Sequence, residues 1–373
     1  MGLRLRSFFY RLPLRAPLNL GASVISDREG LLVCLEDRDG RPSWGECAPL
    51  PGFSHESLSE AAHQLRDLQT ILHSKHDLTF LQGQALLPSV GFGLESADPP
   101  WAHSYPQVNN QSKSLPDHLT PALGQTLSIV TDREGEFSHC PPALSVNALI
   151  TASEPIKTAV TRLTYQGYTS VKLKVGKHPI EQDIQRVLEL YGLTQGKIAI
   201  RLDANRAWDL ETAVDFGRGI RDIPIDYIEE PLTNPAELTK FYQKTGLPIA
   251  LDETLREWTQ EAFLGIKGVS AWIIKPTLHG RLSLCTTIAA LAKTHGIRTV
   301  WSSSFETPMG LAAIASAASM SEPTPAGLDT IQYFSDPAIV SSFPIRDGQV
   351  FLKDLSEDTM LSSLSPYLKE NIV

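Results

Sequence analysis

The chain has 373 residues, 42% of them hydrophobic, which is enough to bury a large core in one large domain or in two unequal ones. Its formal net charge of −9 at pH 7 argues against a nucleic-acid partner, because nucleic acids select basic surfaces. No apolar run approaches the roughly 18 residues of a membrane span, and the N-terminus lacks the apolar core of a signal peptide, so we expect no membrane partner. Four scattered cysteines without a CxxC pair predict free thiols in a reducing cytoplasm.

Residues 1–97 alternate strand-like and helix-like segments. Residues 31–36 are an apolar run, and a hairpin turn signal follows at 37–40. Apolar residues at helical spacing predict helices over 55–73 and 89–97. The sequence therefore predicts a first unit of strands and helices that ends near residue 97.

The loop over residues 43–53 combines glycine and proline with large apolar side chains. A solvated linker would not need Trp44, Leu50 and Phe53, whereas a loop that covers something would. Two interpretations stay open on composition alone. The loop covers a binding site, or it packs permanently on its own domain.

Residues 98–141 change character. They are rich in Pro, Ser, Asn and Gln and have few periodic apolar positions. A loop of this length without structure of its own is uncommon in a compact domain. We therefore interpret the segment as an insertion or a mobile linker between two domains.

From residue 142 to residue 330, strand-like runs alternate with amphipathic segments such as 180–191 and 283–294. The predicted strands cover residues 143–148, 170–175, 197–204, 225–231, 248–254, 271–276, 299–304 and a short run near 327–328. Strands that alternate with helices form parallel βαβ units. Eight of them in about 190 residues favour a closed barrel over an open sheet.

Three of these strands end in a carboxylate: Asp203, Glu229 and Asp252. These residues lie about 23 to 26 positions apart, the length of one β/α unit in a typical barrel, so each returns to the same level one strand further round. Neighbouring carboxylates repel one another unless a cation neutralises them. All-oxygen ligands without His or Cys favour Mg²⁺ over Zn²⁺, so the pattern predicts a Mg²⁺ site, with Mn²⁺ as an alternative.

Lysines flank the acidic trio on both sides. In the strand over 171–175, apolar residues alternate with Lys172 and Lys174, which therefore share the inward face. Buried ammonium groups are costly unless anions face them. Lys275 ends the strand that follows Asp252. We therefore expect lysines on opposite sides of the barrel mouth to hold a small anionic substrate.

A single charged residue at a strand end is more often a helix cap or a solvated group than a functional one. That interpretation does not explain all the charged residues together. Five apolar strands end in a charged residue, and these residues have the spacing of a barrel. Glu230 and Glu253 point away from the ligands next to them, and we expect them to support the site or cap helices. Arg201 alternates with Asp203 and should share its inward face as a charge partner.

Five stretches together resemble the o-succinylbenzoate synthase family, in the muconate-lactonizing subgroup of the enolase superfamily. They read WGE at 44–46, PLPGFS at 49–54, RLDANRAW at 201–208, IKPTL at 274–278 and SSSFE at 302–306. The resemblance implies an α/β fold: a modified TIM barrel, (β/α)7β, with an α+β capping domain built from residues 1–97 and from the last segment, 331–373. It also implies that residues 45–54 close over the substrate.

The resemblance further implies a reaction. It is the syn dehydration of 2-succinyl-6-hydroxy-2,4-cyclohexadiene-1-carboxylate to o-succinylbenzoate through a metal-stabilised enediolate, in menaquinone or phylloquinone biosynthesis. Lys174 would act first as base and then as acid. Lys172 would hold Lys174 in its deprotonated form and contact the substrate carboxylate, and Lys275 would act electrostatically on the opposite face.

The same resemblance suggests residues around the substrate. The backbone N–H groups of Ser303 and Gly327 are the candidates for binding the succinyl carboxylate. Leu50 and Phe53 of the closing loop, together with Arg201, are further candidates for substrate contact. Asn205 is expected to support the ligands.

Two rival functions stay open. An N-acylamino-acid racemase or a dipeptide epimerase could use the same site, with Lys174 and Lys275 each moving a proton on one face. A barrel that binds an acidic ligand without turnover would lack a ligand or a base, and neither is missing from the sequence. The sequence does not determine the oligomeric state.

Overall fold

The computed structural model describes residues 3–20, 23–37, 39–73, 78, 81, 83–98, 143–321 and 324–370. Apart from Asp98, the predicted insertion over 98–141 lies outside these residues. The strands are β1 (Arg4–Asn19), β2 (Val24–Glu36), β3 (Pro42–Cys47), β4 (Ala143–Ser145), β5 (Ala148–Ile150), β6 (Ser170–Lys174), β7 (Ala199–Asp203), β8 (Ile225–Glu229), β9 (Ile249–Leu251), β10 (Val269–Ile274), β11 (Arg298–Trp301), β12 (Gln349–Phe351) and β13 (Leu368–Glu370). The α-helices are α1 (Leu58–Leu72), α2 (Pro88–Ala97), α3 (Ile156–Tyr165), α4 (Ile180–Thr194), α5 (Leu210–Gly219), α6 (Leu238–Thr245), α7 (Glu253–Glu257), α8 (Gln260–Leu264), α9 (Pro276–His279), α10 (Leu282–Thr294), α11 (Pro308–Ser319), α12 (Pro337–Ser341) and α13 (Glu357–Leu364).

An antiparallel sheet in the order β13–β1–β2–β3 joins the two ends of the chain. β1 runs beside β2, and at its other edge residues 8–10 pair with β13. Alternate residues of β2 face opposite sides, as the period of a strand requires. Leu31 and Val33 share a core with α1 and α2, whereas Leu32 belongs to the core of the barrel. The sheet therefore has helices on one face and the barrel on the other.

Helix α1 begins later than its periodicity predicts because Ser57 caps it. The Ser57 hydroxyl accepts a hydrogen bond from the N–H of Glu60 at 3.2 Å, and the Glu60 carboxylate accepts one from the N–H of Ser57 at 2.7 Å. A cap of this kind stabilises a helix by about 1 kcal/mol. The residues before Ser57 remain part of the preceding loop.

The barrel is a seven-stranded parallel sheet in the order β11–β10–β9–β8–β7–β6–β5. The gap between its two edges is closed by Ala326 and Gly327 instead of a full strand, with Ala326 paired to residues 145–147 just before β5 and Gly327 paired beside the end of β11. The N–H of Ala326 donates to the carbonyl of Ser145, and the N–H of Gly327 donates to the carbonyl of Trp301, both at 2.8 Å. The predicted eighth strand is thus reduced to single bridges. The modified barrel with an α+β capping domain is confirmed.

A buried carboxylate reinforces this closure. Asp329 accepts hydrogen bonds from the N–H of Leu149 at 3.0 Å and from the hydroxyl of Tyr168 at 2.8 Å, and Arg162 lies 3.6 Å away. Burial raises the pKa of Asp329 to about 6, against the effect of Arg162. Side chains therefore hold the last barrel segment to β5 where the strand ladder is short.

The strands β6 to β11 end one to three residues earlier than predicted, and in β8 and β9 the early end places an acidic residue. β8 ends at Glu229 because Glu230 adopts a left-handed conformation, with φ 42°. β9 ends at Leu251 because the N–H of Asp252 leaves the ladder and donates to the Glu230 carboxylate at 2.9 Å. Backbone strain of this kind is stored where function requires a fixed geometry.

The capping domain and the barrel meet around two buried carboxylates, Glu46 and Glu306. Glu46 accepts hydrogen bonds from the N–H groups of Thr307 at 2.9 Å and Gly310 at 3.0 Å, at the start of helix α11. The hydroxyl of Tyr10 also donates to Glu46, at 2.5 Å. The N-terminus of a helix favours negative charge, so this contact attaches the third capping strand to the barrel.

Replacing Glu306 with Gln is expected to stabilise the protein near neutral pH. Burial, reinforced by Glu46, raises the pKa of Glu306 from 4.5 to about 7. The folded protein therefore keeps a proton that the unfolded chain has lost, so this group lowers the free energy of unfolding as pH rises from about 4.5 to about 7. Gln does not titrate, so the free energy of unfolding of the variant does not fall in this way. The difference in free energy of unfolding, variant minus wild type, should rise by about 1 to 3 kcal/mol between these two pH values.

Urea denaturation of both proteins at about pH 5 and about pH 7.5 measures this difference. The Gln oxygen can still accept from the N–H of Ser304, which donates to Glu306, while the hydroxyl of Thr277 changes from donor to acceptor. Parallel stability profiles for the two proteins would contradict the expectation.

Candidate active site

Six charged side chains lie at the C-terminal ends of neighbouring barrel strands. Lys172 and Lys174 come from β6, Asp203 from β7, Glu229 from β8, Asp252 from the residue after β9, and Lys275 from the residue after β10. Lys174 pairs in register with Asp203, and Asp203 pairs with Glu229. All three carboxylates are buried. The structure therefore brings the predicted lysines and carboxylates to one rim of the barrel.

The lysines contact the carboxylates from two sides. Nζ of Lys174 lies 2.6 Å from Oδ2 of Asp203, and Nζ of Lys172 lies 3.2 Å from the same oxygen. Lys172 also donates to Glu229 at 3.1 Å. On the opposite side, Lys275 donates to Oδ2 of Asp252. Two ammonium groups thus share one end of the acidic row, and a third takes the other end.

Despite burial, the lysines keep the pKa values of Asp203 and Asp252 below their ordinary values, but two neighbouring carboxyl groups lack enough positive charge. Burial and the neighbouring Asp203 raise the pKa of Glu229 to about 7. Burial, followed by Asp252, raises the pKa of Glu253 to about 8. Burial would lower the pKa of Lys172, yet Glu229 and Asp203 raise it well above its ordinary value. A further cation would let all these carboxyl groups ionise at neutral pH.

The acidic trio has the donor chemistry of a Mg²⁺ site. Its donors are oxygen atoms only, the ligands that hard divalent cations select. Oδ1 of Asp252 is buried and has no hydrogen-bond partner among the described residues. Within the same part of the chain, no three acidic, Cys or His side chains are already spaced as ligands of one ion, and each carboxylate of the trio contacts a lysine instead. The residues fit a divalent cation by chemistry and by charge.

Asn205 and Glu230 hold parts of the site in place. The side-chain oxygen of Asn205 accepts a hydrogen bond from Nζ of Lys174 at 2.6 Å. The Glu230 carboxylate accepts one from the N–H of Asp252 at 2.9 Å. Glu253, also predicted to support the ligands, has one buried oxygen without a hydrogen-bond partner in the described ranges. Asn205 thus orients a lysine, and Glu230 orients the backbone of a carboxylate.

The backbone N–H groups of Ser303 and Gly327 are used within the protein. The N–H of Ser303 donates to the carbonyl of Gly327 at 3.0 Å, and that of Gly327 donates to the carbonyl of Trp301 at 2.8 Å. The Ser303 hydroxyl bonds to the Gly327 carbonyl at 2.9 Å and to Thr330 at 2.6 Å. Both N–H groups serve to close the barrel, so a succinyl carboxylate would compete with the carbonyls of Gly327 and Trp301 for them. Their role in substrate binding stays a prediction.

Arg201 does not pair with Asp203. Its guanidinium donates to Asp226 at 2.9 Å and to the carbonyl of Pro325 at 2.8 Å, and it lies 5.2 Å from the ring centre of Tyr227. Asp226 is near the start of β8, at the end of the barrel opposite the carboxylates. The predicted pairing of Arg201 with Asp203 is wrong. Alternation along a strand predicts which side of the sheet a residue faces, but it does not predict the level along the barrel axis that a long side chain reaches. These contacts do not support a substrate role for Arg201.

The loop that follows β3 packs on the barrel rim beside Lys275. Leu50 is buried and forms an apolar cluster with Phe53 and with Leu278 of helix α9. This helix begins one residue after Lys275. The loop therefore covers the side of the mouth where that lysine lies, and through Leu20 it packs on its own domain as well. That it closes over a substrate stays a prediction.

Arg28 is a residue that the sequence reasoning missed. Its side chain is buried and donates to the carbonyl of Pro49 in the covering loop at 2.9 Å and to the carbonyl of Phe305 in the barrel at 3.0 Å. Phe305 has φ 62°, a left-handed conformation that is rare for a bulky residue. Arg28 thus fixes the covering loop against a strained turn at the barrel mouth. No local pattern marks an arginine whose partners are distant backbone carbonyls.

Two family models match the chain. Residues 4–100 match the family described as MenC, N-terminal domain, and residues 156–356 match the family described as Enolase C-terminal domain-like. Together they cover both the capping domain and the barrel.

Curated relatives and a solved structure extend these matches. The o-succinylbenzoate synthase of Edwardsiella ictaluri (strain 93-146) is 33% identical over 86% of this chain and 88% of that protein. The o-succinylbenzoate synthase of Pasteurella multocida (strain Pm70) is 30% identical over 91% of this chain and 93% of that protein. The dipeptide epimerase from Enterococcus faecalis V583, complexed with Mg and the dipeptide L-Leu-L-Tyr, superposes with a TM-score of 0.70 at 18% identity, covering 90% of this chain and 92% of that one. At this identity the structural likeness concerns the fold.

Proposed function

The chain belongs to the o-succinylbenzoate synthase family of the enolase superfamily, and on this premise we propose that it catalyses the syn dehydration of 2-succinyl-6-hydroxy-2,4-cyclohexadiene-1-carboxylate to o-succinylbenzoate. This reaction is that of a carbon–oxygen lyase in menaquinone biosynthesis. One observation carries the proposal: the chain is 33% identical over 86% of its length to a curated o-succinylbenzoate synthase. The lysines on both sides of the carboxylates supply the groups that this reaction needs. The reaction needs a group that carries a proton on one face of the substrate and fixed positive charge around the substrate carboxylate.

Lys174 is the proposed proton carrier. About 30% of its side chain is exposed, against 13% for Lys172 and 12% for Lys275, so its amine best reaches a substrate above the rim. The amine removes the weakly acidic ring proton next to the substrate carboxylate. In a syn elimination the leaving hydroxyl is on the same face, so the resulting ammonium returns a proton to it and water departs.

Asp203, Glu229 and Asp252 are the proposed ligands of Mg²⁺, with Mn²⁺ as an alternative. When bound, Mg²⁺ supplies Lewis-acid polarisation of the substrate carboxylate. Lys172 adds fixed positive charge beside Asp203 and Glu229. Burial would lower the pKa of Lys275, but Asp252 raises it above its ordinary value. Lys275 lies beside Asp252, and its proposed role is electrostatic rather than proton transfer.

The covering loop supports a small anionic substrate. Leu50 and Phe53 present apolar surface beside the charged rim, which suits a ring that carries carboxylates. Excluding water from the rim strengthens the electrostatic interactions inside it. We therefore retain Leu50 and Phe53 as proposed substrate-contacting residues.

The purified protein should convert the cyclohexadiene carboxylate to o-succinylbenzoate in the presence of Mg²⁺. Removing divalent cations with EDTA should lower the rate by at least about 100-fold, because the carboxylates alone repel the substrate, and added Mg²⁺ should restore it. Loss of the absorbance of the cyclohexadiene measures turnover. A protein without cation-dependent turnover would contradict the proposal.

A racemase or epimerase acting on N-acyl amino acids or dipeptides is the second candidate. The lysines on both sides of the carboxylates favour it, because racemisation needs one acid–base group on each face. Hydrogen exchange at Cα in D₂O, measured from each enantiomer, separates the two functions. Exchange and racemisation faster than dehydration would favour the second candidate.

We also propose a cytoplasmic location. Three cysteines of the described residues, Cys34, Cys47 and Cys285, are buried free thiols, as expected in a reducing compartment. None of the described helices is both long and apolar enough to cross a membrane.

A further inference from the structure

Tyr333 stands at the barrel mouth beside the end of β11. It ends a short 3₁₀ turn, Asp329–Tyr333, that follows the closing segment of the barrel. Thr330 of this turn bonds to the hydroxyl of Ser303 at 2.6 Å. The ring of Tyr333 packs edge-on against Phe305, with 5.4 Å between ring centres and 84° between planes. Tyr333 therefore belongs to the sector of the rim formed by Ser303 and Phe305.

The ring of Tyr333 is held in place, but its hydroxyl is not. Among the described residues its ring contacts Phe305 and packs against the barrel core, and no hydrogen bond involves its hydroxyl. Tyr168 is different, because its hydroxyl donates to Asp329 at 2.8 Å. The Tyr333 side chain is only partly buried and its hydroxyl is not sealed inside the protein, so the hydroxyl can donate to a molecule that enters the mouth.

The hydroxyl of Tyr333 is a donor at working pH. Burial, followed by Asp329 and Glu154, raises its pKa well above the ordinary value, against Arg162 and Lys172. The phenol therefore stays protonated.

The substrate of the proposed reaction carries a second carboxylate at the end of its succinyl chain. The backbone N–H groups of Ser303 and Gly327 are already used in the barrel closure. An anion held away from the lysines still needs a donor, because a buried carboxylate without a hydrogen bond is costly. Two hydroxyls of this sector bond to none of the described residues. That of Ser304 is buried, whereas that of Tyr333 is open to a ligand at the mouth.

We infer that the hydroxyl of Tyr333 donates a hydrogen bond to the succinyl carboxylate of the bound substrate, with the ring positioned by Phe305. This inference rests on the proposed function and adds a residue that selects the succinyl chain. Tyr333 moves no proton in the reaction. Its contribution is to binding, and it depends on the carboxylate at the end of the chain.

The test compares the wild type with Tyr333→Phe, which removes one oxygen atom that bonds to no described residue. Calorimetry gives the dissociation constant of o-succinylbenzoate and of 2-butanoylbenzoate, in which a methyl group replaces the terminal carboxylate. Tyr333→Phe should weaken binding of o-succinylbenzoate by about 10- to 100-fold, the value of a hydrogen bond to a charged group. It should leave binding of 2-butanoylbenzoate within about twofold, because that ligand offers the hydroxyl no acceptor.

Tyr168→Phe is the matched control. It also removes a phenol oxygen, but from the barrel closure, so it should lower the melting temperature without discriminating between the two ligands. Equal effects of Tyr333→Phe on both ligands, or no effect on either, would overturn the inference while wild-type turnover still supported the proposed function. A wild type that neither turns over the cyclohexadiene nor binds o-succinylbenzoate would overturn both.

Discussion

Replacing Lys174 with Ala is expected to lower the rate of dehydration by at least about 10³-fold. Proton transfer by a positioned side chain contributes about 10² to 10⁴ to a rate, and Lys174 is proposed to act in both proton transfers. Steady-state turnover of the cyclohexadiene carboxylate measures the loss. Lys174 is partly exposed, and Lys172 still contacts Asp203 in the variant, so the fold should be retained.

Lys174→Arg separates chemistry from charge. Arginine keeps the positive charge beside Asp203 but does not lose its proton, so this variant should be about as inactive as Lys174→Ala. Lys177→Ala, which removes an exposed lysine just after β6, is the control and should retain activity within about twofold. Substantial dehydration by Lys174→Arg would assign the proton transfers to another group.

Replacing Glu229 with Gln is expected to abolish Mg²⁺ binding and lower turnover by at least about 10³-fold. A ligand that binds only the folded state stabilises it by about 2.7 kcal/mol at 100 times its dissociation constant. Mg²⁺ should therefore raise the melting temperature of the wild type by several degrees. It should leave that of Glu229→Gln unchanged, because the amide removes one of three anionic donors from a buried cluster.

Thermal denaturation with and without Mg²⁺ gives this result without any activity measurement. Glu211→Gln, on the exposed side of helix α5, is the control, and its melting temperature should respond to Mg²⁺ as the wild type does. An undiminished response in Glu229→Gln would place the cation elsewhere. In that case Glu229 would serve only as the partner of Lys172.

The fold could be predicted because the spacing of its charged strand ends has a geometric cause. Asp203 and Glu229 are one β/α unit apart, and a parallel strand followed by a helix returns the chain to the same level. The structure places them side by side on β7 and β8 for that reason. Lys172 and Lys174 alternate with apolar residues, and this alternation predicts from sequence alone that both lysines lie on the same face of β6.

The remaining features depend on which distant segments meet. The N–H groups of Ser303 and Gly327 are used because these two segments lie side by side at the barrel closure, and nothing in either segment shows this in advance. Arg201 reaches Asp226 because of its length. Tyr333 lies in a short turn with no periodic pattern, so only its contact with Phe305 shows where it stands.

The pairing of β13 with β1 has a consequence for synthesis of the chain. Residues 8–10 pair with residues 368–370, which are translated about 360 residues later. This edge of the capping sheet therefore stays open until β13 has been made, and the barrel between the two segments can fold first. Unpaired edges promote association between nascent chains, so β13 protects against aggregation as well as completing the sheet.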